Sequence, residues 1–288
     1  MRVELCGVRG STPSPGRAFE RYGGHTSCLA LSADGGDGDG DADHAAPSLI
    51  LDAGTGIREA TALLGGAPFT GTILLSHLHW DHTQGLPFFA GGDREDSRIE
   101  LVLPDQQSGA SALEVLSRLI SPPFFPISPD RLRGDWSFSS LEPGNSIQGG
   151  FEVLTREIPH KGGRTFGFRI SDGRATFTYM PDHCPTSLGP GPHGYGEYHA
   201  AALELAAGSD LVLHDAQLLV SELEAQAVMG HACGEYAVEL ARQAGARAVL
   251  LFHHDRDRTD EQLDALAASF ADDELPVTLA RQGETIVL

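Results

Sequence analysis

The chain has 288 residues, 41% hydrophobic and 21% charged, which are ordinary proportions for a globular protein. Its formal charge of −20, with Lys161 as the only lysine, repels phosphate backbones and disfavours a polynucleotide partner. Four cysteines without paired spacing argue against a disulfide framework, and no run of about 18 apolar residues suggests a membrane span, so a cytoplasmic protein is expected.

In chain order, "RVELC" reads as a strand followed by a glycine-rich loop over 7–24, and "SCLALS" and "SLILDAG" read as neighbouring strands. The stretch between them is expected to be a flexible acidic insertion over 34–47. Its DxDxD character does not make a calcium loop, because Ala42 stands where the glycine is needed and Ser48 where the closing glutamate is needed. "GIREATALLG" has helical spacing, and "GTILLS", "RIELVL" and "GFEVLTREIP" are strand-like. Between the last two, 104–150 reads as a helix ("ASALEVLSRLI") and a proline-rich loop. "TFGFRISDGRATFTYMPD" is a hairpin turning at Asp172-Gly173. Helices at 199–207, 233–244 and 260–271 then alternate with the strands "DLVLHD", "AVLLFHHD" and "ETIVL". The alternation, without linker or repeat, predicts a single α/β domain over 1–288.

The chemistry concentrates in "SHLHWDHTQG", residues 76–85, directly after a buried-looking strand. His77 and His79 are one residue apart, so both side chains can point the same way in extended chain. Asp81 and His82 follow where the chain turns into a helix. One tetrahedral ion rarely takes four ligands from one short loop, so the loop suits two metals with further ligands from elsewhere. His160, Asp182 and His253 supply candidates at the ends of strands.

The order HxHxDH, His, Asp, His over nearly the whole chain resembles the metallo-β-lactamase superfamily, with "LILDAGTG" around Asp52 matching its first motif. The resemblance implies a four-layer αββα sandwich with a dinuclear site at one edge. His77, His79 and His160 would hold one ion, and Asp81, His82 and His253 the other, with Asp182 bridging. His253 rather than His254 is the expected ligand, since the family pattern takes the first histidine after the strand. Zn²⁺ suits this nitrogen and oxygen donor set, with Mn²⁺ or Fe²⁺ as alternatives. Two divalent ions, two carboxylates and one hydroxide leave a charge near +1, which suits a phosphodiester monoanion.

"DLVLHDAQ" and "GHACGEYAVELARQAGARAVLLFH" further resemble the ribonuclease Z-like branch. The resemblance implies that His231 faces the scissile phosphate and that Asp215 orients it, with Asp81 serving both as ligand and in catalysis. Here Asp215 stands where the branch has glutamate, and Ala232 where it has serine. Only 22 positions separate His160 from Asp182, which leaves no room for a tRNA-gripping arm. The expected activity is therefore hydrolysis of a small nucleotide phosphodiester, cyclic ones included, by metal-bound hydroxide. An RNA-processing nuclease, a thioester or lactone hydrolase on the same metals, and a non-catalytic metal- or ligand-binding protein are the rivals. A homodimer is implied by the same resemblance. Arg9 and Arg21 are candidate phosphate contacts, Phe124, Phe125 and Trp136 candidate base-stacking groups, and His183 a candidate substrate contact. Cys233 is expected to be structural, with His193 and His199 facing solvent.

Overall fold

A computed structural model describes residues 1–33 and 46–288, so most of the acidic insertion read at 34–47 lies outside the described residues. The chain forms two seven-stranded mixed sheets. The first contains β1 (Arg2–Gly7), β2 (Cys28–Ser32), β3 (Leu49–Leu51), β4 (Thr70–Leu74), β5 (Arg98–Pro104), β6 (Asp135–Leu141) and β14 (Thr285–Val287). Their spatial order is β14-β1-β2-β3-β4-β5-β6. The second contains β7 (Gly144–Gln148), β8 (Phe151–Ile158), β9 (Thr165–Ser171), β10 (Thr176–Met180), β11 (Leu211–Asp215), β12 (Val249–Phe252) and β13 (Val277–Leu279). It runs β13-β12-β11-β10-β9-β8-β7.

The inner strands are apolar on both faces, as strands covered on both sides must be. Leu49 and Leu51 of β3, Phe166 and Phe168 of β9, and Leu250 and Phe252 of β12 point between the sheets into one core. Ile50 points the other way, into a second core under α1 (Ile57–Ala60) and α3 (Ala112–Ser117). Val249 and Leu251 point into a third core under α4 (Ala200–Ala206), α6 (Gly234–Gln243) and α7 (Asp260–Ser269). These three cores separate four layers, the expected αββα sandwich. Capping boxes at Ser111/Glu114 and Thr259/Gln262 fix where α3 and α7 begin.

Pairings β3–β4, β4–β5, β5–β6 and β10–β11, β11–β12, β12–β13 are parallel, each requiring a crossover. The loops after β3, β4, β10, β11 and β12 therefore open on one edge of the sandwich. The chain passes between sheets at Glu142-Pro143, which joins β6 to β7.

Two differences from the sequence reading concern strands and a third a helix. Residues 104–150 hold β6 and β7 after the helix, where a proline-rich loop was expected. Both are terminal strands: Ser137, Ser139 and Ser140 dilute β6, and Ile147 of β7 is exposed, so a continuous apolar signal is lacking. The three-residue β13 was likewise too short to show a period. "GIREATALLG" breaks into α1 and a 3₁₀ turn at Ala62–Leu64.

Phe168 is fully buried between the sheets. Phe168→Ala is expected to lower unfolding free energy by about 3–5 kcal/mol through lost contacts and a cavity. Denaturant titration should show a lower midpoint at unchanged slope.

Candidate metal centre

Asp52, just past β3, adopts a left-handed backbone (φ +58°) that points its carboxylate into the fold. It accepts hydrogen bonds from Ser76 N (2.6 Å), Ser76 Oγ (2.7 Å) and Tyr179 OH (2.7 Å). His82 Nδ1 lies 2.7 Å from the same carboxylate. Donation from Nδ1 leaves the Nε2 lone pair of His82 facing Asp182 Oδ2 (3.0 Å), His253 Nε2 (3.3 Å) and Asp81 Oδ2 (3.4 Å).

The same device recurs at His160, whose Nδ1 donates to the Gly230 carbonyl at 2.7 Å. Its Nε2 then faces His79 Nδ1 at 3.2 Å and Asp182 Oδ1 at 3.6 Å. His77 Nδ1 donates to Ser76 Oγ (3.1 Å), while its buried Nε2 has no hydrogen-bond partner. Asp182 Oδ2 is also buried without a hydrogen bond. His253 Nε2 lies 3.2 Å from Asp81 Oδ2 and 3.4 Å from Asp182 Oδ2.

Donor atoms of His77, His79 and His160 lie within 4.8 Å of one another, as do those of Asp81, His82 and His253, and those of His77, His82 and Asp182. All seven ligand candidates from the sequence thus meet in one cluster. Its imidazoles and carboxylates shift one another's basicity strongly. Burial alone would lower the basicity of His82, but the charges of Asp182, Asp81 and Asp52 hold it well above the ordinary histidine range. Burial and the charge of His82 push His77 well below it. Burial opposes ionisation of Asp81, yet the charge of His82 and the bond to His253 keep it well below the carboxylate range. Orphaned lone pairs among imidazoles and carboxylates fit divalent metal ions.

His231 enters from the loop before α6. Its Nδ1 lies 3.0 Å from Asp215 Oδ2, and its ring stacks on His253 with centroids 5.0 Å apart. Burial would lower its pKa, but the charge of Asp215 and their hydrogen bond dominate and push it up to about 9. Asp215 also accepts from His183 N (3.1 Å), Gln217 N (3.0 Å) and Ala232 N (3.3 Å). The shorter aspartate therefore reaches His231, and the backbone of Ala232 contributes where a serine side chain is absent.

Residues 48–254 match the beta-lactamase superfamily domain. The chain belongs to this superfamily. No curated protein matches the sequence. Among solved structures, the metallo-β-lactamase fold protein YhfI from Bacillus subtilis superposes with a TM-score of 0.66 at 18% identity, covering 99% of this chain and 98% of its own. A diphosphatase of the PhnP family gives 0.65 at 15% identity, covering 100% and 97%. The short form of human tRNase Z gives 0.64 at 18% identity, covering 100% and 99%. The superfamily's metal-dependent hydrolases bind divalent ions, and the His/Asp cluster of this chain is of a kind that could hold them.

Among the peripheral candidates, Arg9, Arg21, His183 and His199 depart from expectation, and His254, His193 and Cys233 lie as expected. Arg9 is fully buried and donates to the carbonyls of Gly23, Asp255 and Arg258, so it braces loops and does not face substrate. Arg21 pairs with Asp264 and Glu261 of α7. His183 is buried with Nδ1 2.9 Å from His214 Nε2, turned from the centre. His254 Nε2 lies 2.7 Å from the Ala280 carbonyl, leaving His253 as the cluster member. His193 is exposed as expected, but His199 is half-buried. Burial pushes the Cys233 thiol up to about 12, consistent with a structural role. Phe124 and Phe125 do line a groove of about 480 Å³ with Trp80 and Phe88, whereas Trp136 stacks on Phe138 elsewhere.

The glycine-rich first loop contributes what sequence reasoning missed. Ser11 N donates to Asp81 Oδ2 at 2.7 Å, and a side chain on Gly10 would begin 2.4 Å from His253 Nδ1. Tyr179, Ser76 and the Gly230 carbonyl were also unforeseen, since no motif marks a residue that acts through a ligand's far side.

Asp52→Ala should weaken metal retention by about 10–100-fold, because His82 loses the acceptor that fixes its tautomer. Competition with a chromogenic chelator measures this directly.

Proposed function

We propose that the protein is a dinuclear metal-dependent phosphodiesterase acting on small nucleotide phosphodiesters, cyclic ones included. His77, His79 and His160 would hold one ion and Asp81, His82 and His253 the other. Asp182 would bridge them, since its Oδ1 faces His160 while its Oδ2 faces His82 and His253. Zn²⁺ is the ion that best suits these donors, with Mn²⁺ or Fe²⁺ as alternatives. When bound, such ions supply Lewis acidity and an activated water at neutral pH.

The observation that carries the reading is His231, held as a cation beside the donor cluster by Asp215. With Nδ1 engaged, Nε2 is the nitrogen left to hold a proton toward a phosphoryl oxygen or a departing alkoxide. A thioester or lactone carries no such anion and would gain little from this group. Asp215 keeps the ring in place and maintains its charge, while Ser11 N donates to the outer cluster carboxylate Asp81. The segment between His160 and Asp182 is consumed by β9, β10 and their turn, which favours a small substrate over tRNA.

Metal-loaded protein should hydrolyse bis(p-nitrophenyl) phosphate or one of the 3′,5′- and 2′,3′-cyclic nucleotides. His231→Ala should retain its metals and lose about 100-fold or more in kcat. Thioester or lactone turnover without any phosphodiester turnover would refute the reading, as would an undiminished His231→Ala variant.

The pH profile supplies a second test. The cationic form of His231 exists below its pKa, which Asp215 raises, so activity should fall as pH rises through that pKa. Asp215 raises that pKa, so Asp215→Asn should shift the alkaline limb of kcat/KM to lower pH. An unmoved limb would assign it to another group.

A further inference from the structure

The loop carrying Lys161 lies flush against the donor cluster. Gly162 has φ +85°, and a side chain there would begin 2.9 Å from His79 Nε2. Across the loop, Gly230 has φ +102°, and a side chain there would begin 3.0 Å from His160 Nδ1 and 3.2 Å from Lys161 Cβ. Two glycines thus let the chain's only lysine sit directly beside two of the centre's histidines.

Lys161 lines a cavity of about 480 Å³ together with His160, Thr186, Ser187, Val228 and Gly230. The cavity shares His160 as a wall with the donor cluster, and no acidic side chain lines it. That is notable in a chain with 40 acidic residues. Among the described residues, Lys161 forms no ion pair, and its Nζ donates only to the Val228 carbonyl at 3.2 Å. An ammonium has three donors, so two remain available. The hydroxyl of Ser187 is spent on the Cys184 carbonyl at 2.7 Å. Thr186 Oγ1 has only the Cys184 thiol nearby, at 3.6 Å, and is free to donate.

We propose that this cavity is an anion subsite in which Lys161 and Thr186 take a second negatively charged group, a terminal phosphate, on the substrate. The proposal rests on the phosphodiesterase reading and narrows it to substrates with a phosphomonoester beside the scissile diester. Its physical basis is charge complementarity: in a body of charge −20, an ammonium without an ion-pair partner stands at a cavity that no acidic side chain lines.

The test compares thymidine 5′-(p-nitrophenyl phosphate) with and without a 3′-phosphate on metal-loaded protein. Calorimetry of thymidine 3′,5′-bisphosphate against thymidine 5′-monophosphate gives a readout independent of turnover. The native protein should favour the doubly phosphorylated member by about 10-fold in kcat/KM and in Kd, the scale of one charge-assisted hydrogen bond. Lys161→Met should bring both ratios near one, and Lys161→Arg should retain part of the preference. A binding ratio near one in the native protein, no binding of either nucleotide, or a preference that survives in Lys161→Met would overturn the subsite. If the binding preference follows Lys161 but neither ester is cleaved, the subsite stands and the phosphodiesterase reading fails.

Discussion

Lone pairs crowded into a buried volume are the constraint on which the rest of this structure depends. The ion pairs formed by Asp52, Asp81, Asp182 and Asp215 are all with histidines, and those rings bring further lone pairs to the same place. Charges at this depth are costly unless compensated. Protons compensate them in part, as the raised basicity of His82 and His231 shows. Divalent cations compensate them more completely, and their binding would displace protons from the ligands. The cluster is thus costly to fold, and a bound cation would offset that cost more fully than protons do.

The scaffold exists to hold that arrangement. Both sheets end their parallel strands at the same edge, and ligands in open α/β folds gather at such carboxyl ends. Asp52 and His253 both take left-handed backbone conformations at these ends, φ +58° and +59°, which non-glycine residues adopt at a cost. Surrounding contacts fix them: the Asp52 carboxylate has four partners, and Gly10 leaves His253 the space it needs. Tyr179 bonds the Asp52 carboxylate, the Gly230 carbonyl orients His160 and Asp215 orients His231, so the cluster's precision comes from residues outside the seven ligand candidates.

Legibility from the sequence followed the strength of the local pattern. Residues 76–82 compress three histidines and an aspartate into seven positions, and β10, β11 and β12 are apolar runs with polar ends, so the cluster and its strands could be read directly. The edge strands β6 and β7 could not, because half-exposed strands with serine and glycine carry no continuous signal. Arg9 misled because an arginine in a glycine-rich loop near a phosphate site suggests binding, whereas burial turned its guanidinium onto three carbonyls. His183 misled in the same way: it follows Asp182 in sequence, yet its ring packs against His214 and Tyr236. The roles of Ser11 and Gly230 act through backbone atoms, which side-chain chemistry cannot announce.

The most direct test of this account is calorimetric titration of the demetallated protein with Zn²⁺, read together with the thermal unfolding midpoint. The account predicts two equivalents bound per chain, proton release on binding, and a midpoint that rises with loading. In Asp182→Ala, whose removed carboxylate faces both donor sets, both equivalents should weaken together. A single equivalent, or an unfolding midpoint indifferent to metal, would contradict a dinuclear centre as the organising feature of the fold.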